Sequence, residues 1–115
     1  MTDSRNFMMI FRFEPDFEYQ PTQEERDTQH RQWGKFIGDI AIQEKLVSTH
    51  RLGFEGRQIA PDQAVTTGIH LSGGLTIGGN MIVRAKSLDE AVEMAKACPI
   101  LSVGGRVEVR DINQE

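Results

Sequence analysis

The chain is poor in the residues that usually announce a chemistry. Its 115 residues include one cysteine, one tryptophan, one tyrosine and four prolines. A lone thiol, Cys98, closes no internal disulfide and supplies no multi-cysteine metal site. It fits a reducing compartment, and its place on an apolar helical stripe marks it as an inert core residue. No apolar run approaches the about 20 residues that span a bilayer. The polar opening, Met1 to Asn6, lacks the basic start and apolar stretch of a secretory signal. The expectation is therefore a cytoplasmic protein with no membrane association, whose residues 1–5 form a flexible tail. No basic cluster stands out and the net charge is −4, so no nucleic-acid partner is expected. There is no His-x-His or His-x-x-x-His pair, and neither a metal nor an organic cofactor is expected. The pairs Gly73-Gly74 and Gly78-Gly79 lack the Lys and Ser/Thr of a phosphate loop and read as turns. Repeats and low-complexity tracts are also missing. What remains has the size of one domain, residues 1–115, marginal in stability alone and so disposed to associate.

What is present is a clear order of elements. Phe7 to Phe13 reads as a strand, with Phe7, Met9, Phe11 and Phe13 on one face and Met8, Ile10 and Arg12 on the other. Apolar residues on both faces imply an interior strand covered on both sides. Thr22 and Glu25 form a capping box that opens a helix, with the acidic Glu24 and Glu25 in the first turn, where the helix dipole favours them. Trp33, Phe36, Ile37, Ile40 and Ala41 form its apolar stripe, and it should end near Glu44 or Lys45. Gly34 and Gly38 each cost this helix about 1 kcal/mol relative to Ala. They mark either a weakened helix or, as we favour, the close approach of a neighbouring backbone.

Leu46 to Arg51 reads as a second strand. Residues 52–61 either extend it with a bulge or form an irregular arm. Ala64 to Leu71 is a third strand, and Ser72-Gly73-Gly74 has hairpin chemistry. Asn80 to Lys86 is a β-type run. Ser87 to Glu90 is a second capping box, with the Glu90 carboxylate expected to accept from the Ser87 N–H. Leu88, Ala91, Val92, Ala95 and Cys98 then recur at helical spacing, Pro99 stops the helix, Gly104-Gly105 turns the chain, and Arg106 to Ile112 alternates as a final strand.

The order β-α-β-β-(β)-α-β suits a ferredoxin-like α+β sandwich, an antiparallel sheet with two helices on one face. The other face then carries apolar residues that a monomer does not leave bare. A second copy, packed face to face about a twofold axis, is the economical cover. The expectation is a homodimer through the open sheet face, closed as an α/β barrel.

The chain resembles the YCII-related family, including its DGPF branch, which are small dimeric α+β barrel proteins. The resemblance rests on Trp33, on the segment from Gly79 to Ala91, on Cys98-Pro99 and on the ending Gly105 to Arg110. It covers nearly the whole domain in order and is closest in the last third. Most members have no assigned activity, so it implies a fold more than a function. The Asp-Gly-Pro-Phe loop of one branch is absent, with Gly73 to Gly78 in its place. YCII-type members often carry a first-helix histidine paired with an acid in a proposed active site, and His30 matches that histidine by position.

His30, three residues before Trp33 and seven before Ile37, is expected on the buried side of its helix, facing a cleft between helix and sheet. There it would act as general acid or base. The bland reading is a histidine at the stripe edge bonded to backbone or water. Asp39 cannot be its partner, since nine residues at about 100° each place it on the opposite side. Asp16, Glu18 and Glu55 are the candidate acids. Arg12 and Arg84, set inside apolar strands, are candidate anchors for an anionic substrate, and Trp33 is a candidate pocket wall. His50 and His70 read as exposed strand residues. Three functions follow. One is an enzyme without metal or cofactor, acting on a small, anionic organic molecule through His30. The alternatives are a non-catalytic small-ligand-binding module and a purely structural interaction protein.

Overall fold

The computed structural model of the chain describes residues 4–16 and 19–113. Six strands, two α-helices and one 3-10 turn follow in order: β1 Arg5–Phe13, α1 Gln23–Ile42, β2 Leu46–Arg51, β3 Arg57–Ile59, β4 Val65–Thr67, β5 Thr76–Ala85, α2 Leu88–Ala95, the 3-10 turn Pro99–Val103, and β6 Arg106–Asp111. Four strands form one antiparallel sheet in the order β2-β5-β1-β6, and β3 and β4 pair separately as a two-stranded arm. An α+β antiparallel sheet with two helices, in this strand order, is consistent with a ferredoxin-like fold. Strand β1 begins at Arg5, which pairs with Ala85, inside the stretch expected as a tail.

The interior place of β1 follows from its two apolar faces. Phe7, Met9 and Phe11 sit with Met81, Val83 and Ala85 of β5 in one buried cluster under Phe36 and Ile40 of α1 and Ala91 and Ala95 of α2. Cys98 and Ile100 seal the end of this core. Burial pushes the Cys98 thiol up to about 11, which leaves it protonated and unreactive. Among the described residues, no helix is long and apolar enough to cross a membrane.

The helix ends show which local signals the fold honours. At α1, Thr22 accepts from the Glu25 N–H at 3.1 Å and Glu25 accepts from the Thr22 N–H at 3.0 Å, so this capping box is complete. Glu25 also accepts from the Tyr19 hydroxyl, which holds its carboxyl below the usual glutamate value. At α2 only half the expected box forms. Ser87 accepts from Glu90 N–H at 3.1 Å, but the Glu90 carboxylate reaches Lys86 N–H and the Lys45 ammonium at 3.2 Å instead of Ser87 N–H. The cation outcompetes a neutral donor. Helix α1 ends two residues before Glu44, which turns the chain with a left-handed φ of 59°.

Two readings of glycine need correction. A Cβ at Gly34 or Gly38 would meet nothing within 4 Å, so no backbone approaches α1 there. Gly78 and Gly79 are not a turn but lie inside β5, at a register shift opposite Phe11 and Arg12. A Cβ at Gly79 would sit 2.5 Å from the His50 carbonyl of β2, and one at Gly78 would sit 2.5 Å from the Phe13 ring. The pair is there because neighbours approach, which local sequence does not report. Gly73 and Gly74 do make the expected hairpin turn, with φ of 59° and 81° between the mutually bonded Ser72 and Leu75.

Candidate functional site

The sheet's second face carries every other residue of the same strands. By register, Met8, Ile10 and Arg12 of β1 lie beside Ile82, Asn80 and Ile77 of β5 and beside Arg110, Glu108 and Arg106 of β6. Ser48 and His50 of β2 continue the rows of Ile82 and Asn80. The centre of this open face is apolar and half-buried, with Met8, Ile10 and Ile82 adjacent. The Asn80 side-chain oxygen is buried in it without a hydrogen-bond partner. With Arg84, which pairs with Asn6, four arginines gather on one face of an acidic chain, from strands far apart in sequence, where no run of basic residues foretold them.

The arm rises from one end of this face. Leu52 N–H bonds to Gly78 O at 3.0 Å, and the Phe54 ring meets Phe13 at 5.9 Å, which fixes the arm's base to the sheet. Gly56 and Gly68 close the base with a 2.9 Å backbone bond, at a crossing where a Gly56 Cβ would strike the Ile69 side chain. Beyond it β3 and β4 pair with each other alone, and the cross-strand pair Ile59 and Val65 is 73% and 60% exposed. Residues 64–71 are therefore only briefly a strand, because Gly68, at φ 110°, breaks the extended run after Thr67.

Between the arm and the sheet end opens a cleft of about 1020 Å³, at the top of the about 300–1,000 Å³ usual for ligand sites. Arg12 and Arg106 line its sheet wall, Arg57, His70 and Glu55 its arm wall, and Thr76 and Ile77 its floor. Arg12 is held by Glu108 at 2.6 Å, and Arg57 donates to Gly56 O at 2.9 Å. Among the described residues Arg106 has no ion-pair partner. Three guanidiniums and one imidazole against two carboxylates, in a chain of net charge −4, make this cleft a place for an anion. Arginine forks bind carboxylate or phosphate oxygens two at a time. A second hollow of about 220 Å³ between α2 and β6 is lined by Leu88, Val92, Leu101, Val107 and Val109, with Lys96 its one charge.

The structure separates the residues expected to act together. Arg12 and Glu55 do line one cleft. Trp33 is instead a core residue, edge-on to Phe11 at 5.3 Å and to Phe36 at 5.9 Å. Arg84 is exposed on the open face, outside the cleft and beside Asn6. His30 is exposed and lines neither cavity, contrary to its expected place between helix and sheet. The buried line of α1 runs through Phe36 and Ile40, and His30 lies about 100° from it around the helix. Of the other acids considered, Asp16 accepts from Tyr19 N–H and Glu18 lies outside the described residues. His70, read in sequence as an exposed strand residue, is the histidine that reaches the cleft. Among the described residues no group of three or more His, Cys, Asp or Glu side chains is placed to hold a metal ion. No family model matches the chain, and no curated protein matches it significantly.

Proposed function

We propose that the protein is a cytoplasmic homodimer, closed through the open sheet face as an α/β barrel, that binds a small anionic organic molecule in the cleft between arm and sheet. The observation that carries the reading is the convergence of Arg12, Arg57 and Arg106 on one cleft of an otherwise acidic protein. A small ligand is favoured over nucleic acid because these arginines line one cleft and do not form a track along the surface. The dimer is supported by shape and by unused apolar surface. The chain has a radius of gyration of 16.0 Å and is only 20 Å thick, against about 13 Å expected for a compact chain of this length. A two-stranded arm is marginal in water unless something packs on it. Its resemblance to the YCII-related group points to the same architecture. The single buried, unpaired cysteine fits a reducing cytoplasm.

Titration calorimetry with a series of mono-, di- and tricarboxylates and phosphate esters tests the reading. We expect saturable binding of the multiply charged members, weakened about tenfold or more by Arg106→Ser through loss of a charge-assisted pair. Binding by none of them, or unchanged binding in Arg106→Ser, overturns it. The presence of His70 in the same wall favours a second reading, in which the bound molecule exchanges a proton with that imidazole. Turnover lost in His70→Ala with ligand affinity retained supports this; turnover lost in His30→Ala alone refutes it.

A further inference from the structure

The cleft between arm and sheet has more apolar wall than a small ion can use. Beside its arginines it is lined by Leu52, Ile69, Leu75 and Ile77. Leu52 and Ile77 are 46% and 43% exposed, and Ile69 and Leu75 are half-buried. Apolar side chains gathered in a concavity, with a few polar groups to orient a guest, are the usual makeup of a site for an organic molecule. The free charge is smaller than the number of arginines implies. Glu108 holds Arg12 at 2.6 Å, which leaves Arg57 and Arg106 against Glu55. That excess suits one anionic headgroup. The register sets the headgroup site and the apolar wall side by side. Ile77 of β5 pairs with Arg12 of β1, which pairs with Arg106 of β6. Neighbouring strands lie about 4.8 Å apart, so Ile77 stands about 10 Å across the sheet from Arg106. Between them the Arg12 side chain, its charge already matched, contributes a methylene stem.

We infer that the ligand of this cleft is an amphiphile, with one carboxylate or phosphate headgroup taken by Arg106 and Arg57 and an apolar chain or ring laid over the Arg12 stem toward Ile77. This rests on the reading of the cleft as an anion site and adds the chemistry of the rest of the molecule. The distance from Arg106 to Ile77 sets the body at about 10 Å, a short chain or one to two rings. A planar guanidinium donates to two oxygens of the headgroup at once, which fixes orientation. The apolar body supplies affinity in proportion to the surface it removes from water. The occupant is a free molecule and not a lipid in a bilayer, since an anionic membrane surface repels a chain of net charge −4.

Titration calorimetry of the full chain with methyl, butyl and hexyl phosphate, and with hexanol, tests the inference. Affinity is expected to rise about twofold or more for each added methylene, toward the about fourfold that full burial gives. Hexanol is expected to bind far more weakly than hexyl phosphate, and Ile77→Thr to weaken hexyl phosphate several-fold more than methyl phosphate. Equal affinity from methyl to hexyl phosphate, weakened by Arg106→Ser, overturns the amphiphile and leaves the anion site standing. Hexanol binding as tightly as hexyl phosphate removes charge from recognition and overturns both readings. Binding of no ester overturns the inference, and the anion site with it if the carboxylates also fail. Co-sedimentation with phosphatidylserine–phosphatidylcholine vesicles, without binding of the free esters, assigns the headgroup to a membrane and overturns the free ligand.

Discussion

Along β1, the odd-numbered Phe7, Met9 and Phe11 are at most 4% exposed beneath the helices, while the even-numbered Met8, Ile10 and Arg12 lie half-buried on the opposite face. The same alternation runs through β5, with Met81, Val83 and Ala85 inside and Asn80, Ile82 and Arg84 outside. One face is a core in the ordinary sense, apolar and closed. The other has an apolar middle and charged ends, the anatomy of an association surface with a hydrophobic centre and polar rim. The difference teaches that a strand with period 2 writes two environments at once, and that the second is legible only when the neighbouring strands are known. Protomer stability belongs to the first face, and the proposed assembly to the second.

The sharpest way to break this division is a pair of truncations one step apart in sequence. Phe7→Ala should cost about 3–5 kcal/mol of protomer stability in urea unfolding, because a sealed core closes poorly on the cavity left behind. Ile10→Asp should leave the protomer folded by circular dichroism yet weaken the dimer by about 2 kcal/mol or more in sedimentation, as charge enters the apolar centre of an interface. If Ile10→Asp unfolds the protomer as Phe7→Ala does, the two faces are not functionally distinct. A gain is expected on α1, where the Cβ of Gly34→Ala or Gly38→Ala meets open space. Each should raise stability by about 1 kcal/mol, and a loss instead would place another chain against that side of the helix.

The smallest effect concerns pH. The hydrogen bond from Lys45 holds the Glu90 carboxyl below its ordinary value of 4.5. A depressed carboxyl contributes stability that is present above that ordinary value and disappears as pH falls through the folded one. Lys45→Met should therefore flatten the acid limb of the urea midpoint plotted against pH and leave its shape above pH 5 unchanged, with a small amplitude because both side chains are about a third exposed.

Much of the body could be read from local signals. The capped start of α1, the extent of β2, the interior place of β1, the Ser72–Leu75 turn and the buried Cys98 all follow from short-range patterns. The candidate site could not be read this way. Its walls come from residue 12, residues 55–70 and residues 106–108, and no periodicity links segments so far apart. His30 was drawn toward the core by its spacing from Trp33, but Trp33 sits on the flank of the stripe and the helix turns His30 outward. His70 offered no signal at all, since a histidine beside short, broken strands looks like any surface residue until the arm folds back over the sheet. Gly78 and Gly79 misled for the same reason. Their cause is a carbonyl of β2 and a ring of β1, both distant in the chain.

The outer strands hold one more implication. Strand β2 loses its register between Leu46 and Ser48, so Val47 interrupts the ladder, and β6 sets Arg106, Glu108, Arg110 and Asp111 along the opposite border. A kinked margin on one side and a charged margin on the other discourage a further strand from joining either flank. Growth by lateral addition into ribbons is thereby suppressed, which leaves the open sheet face as the surface for the proposed dimer.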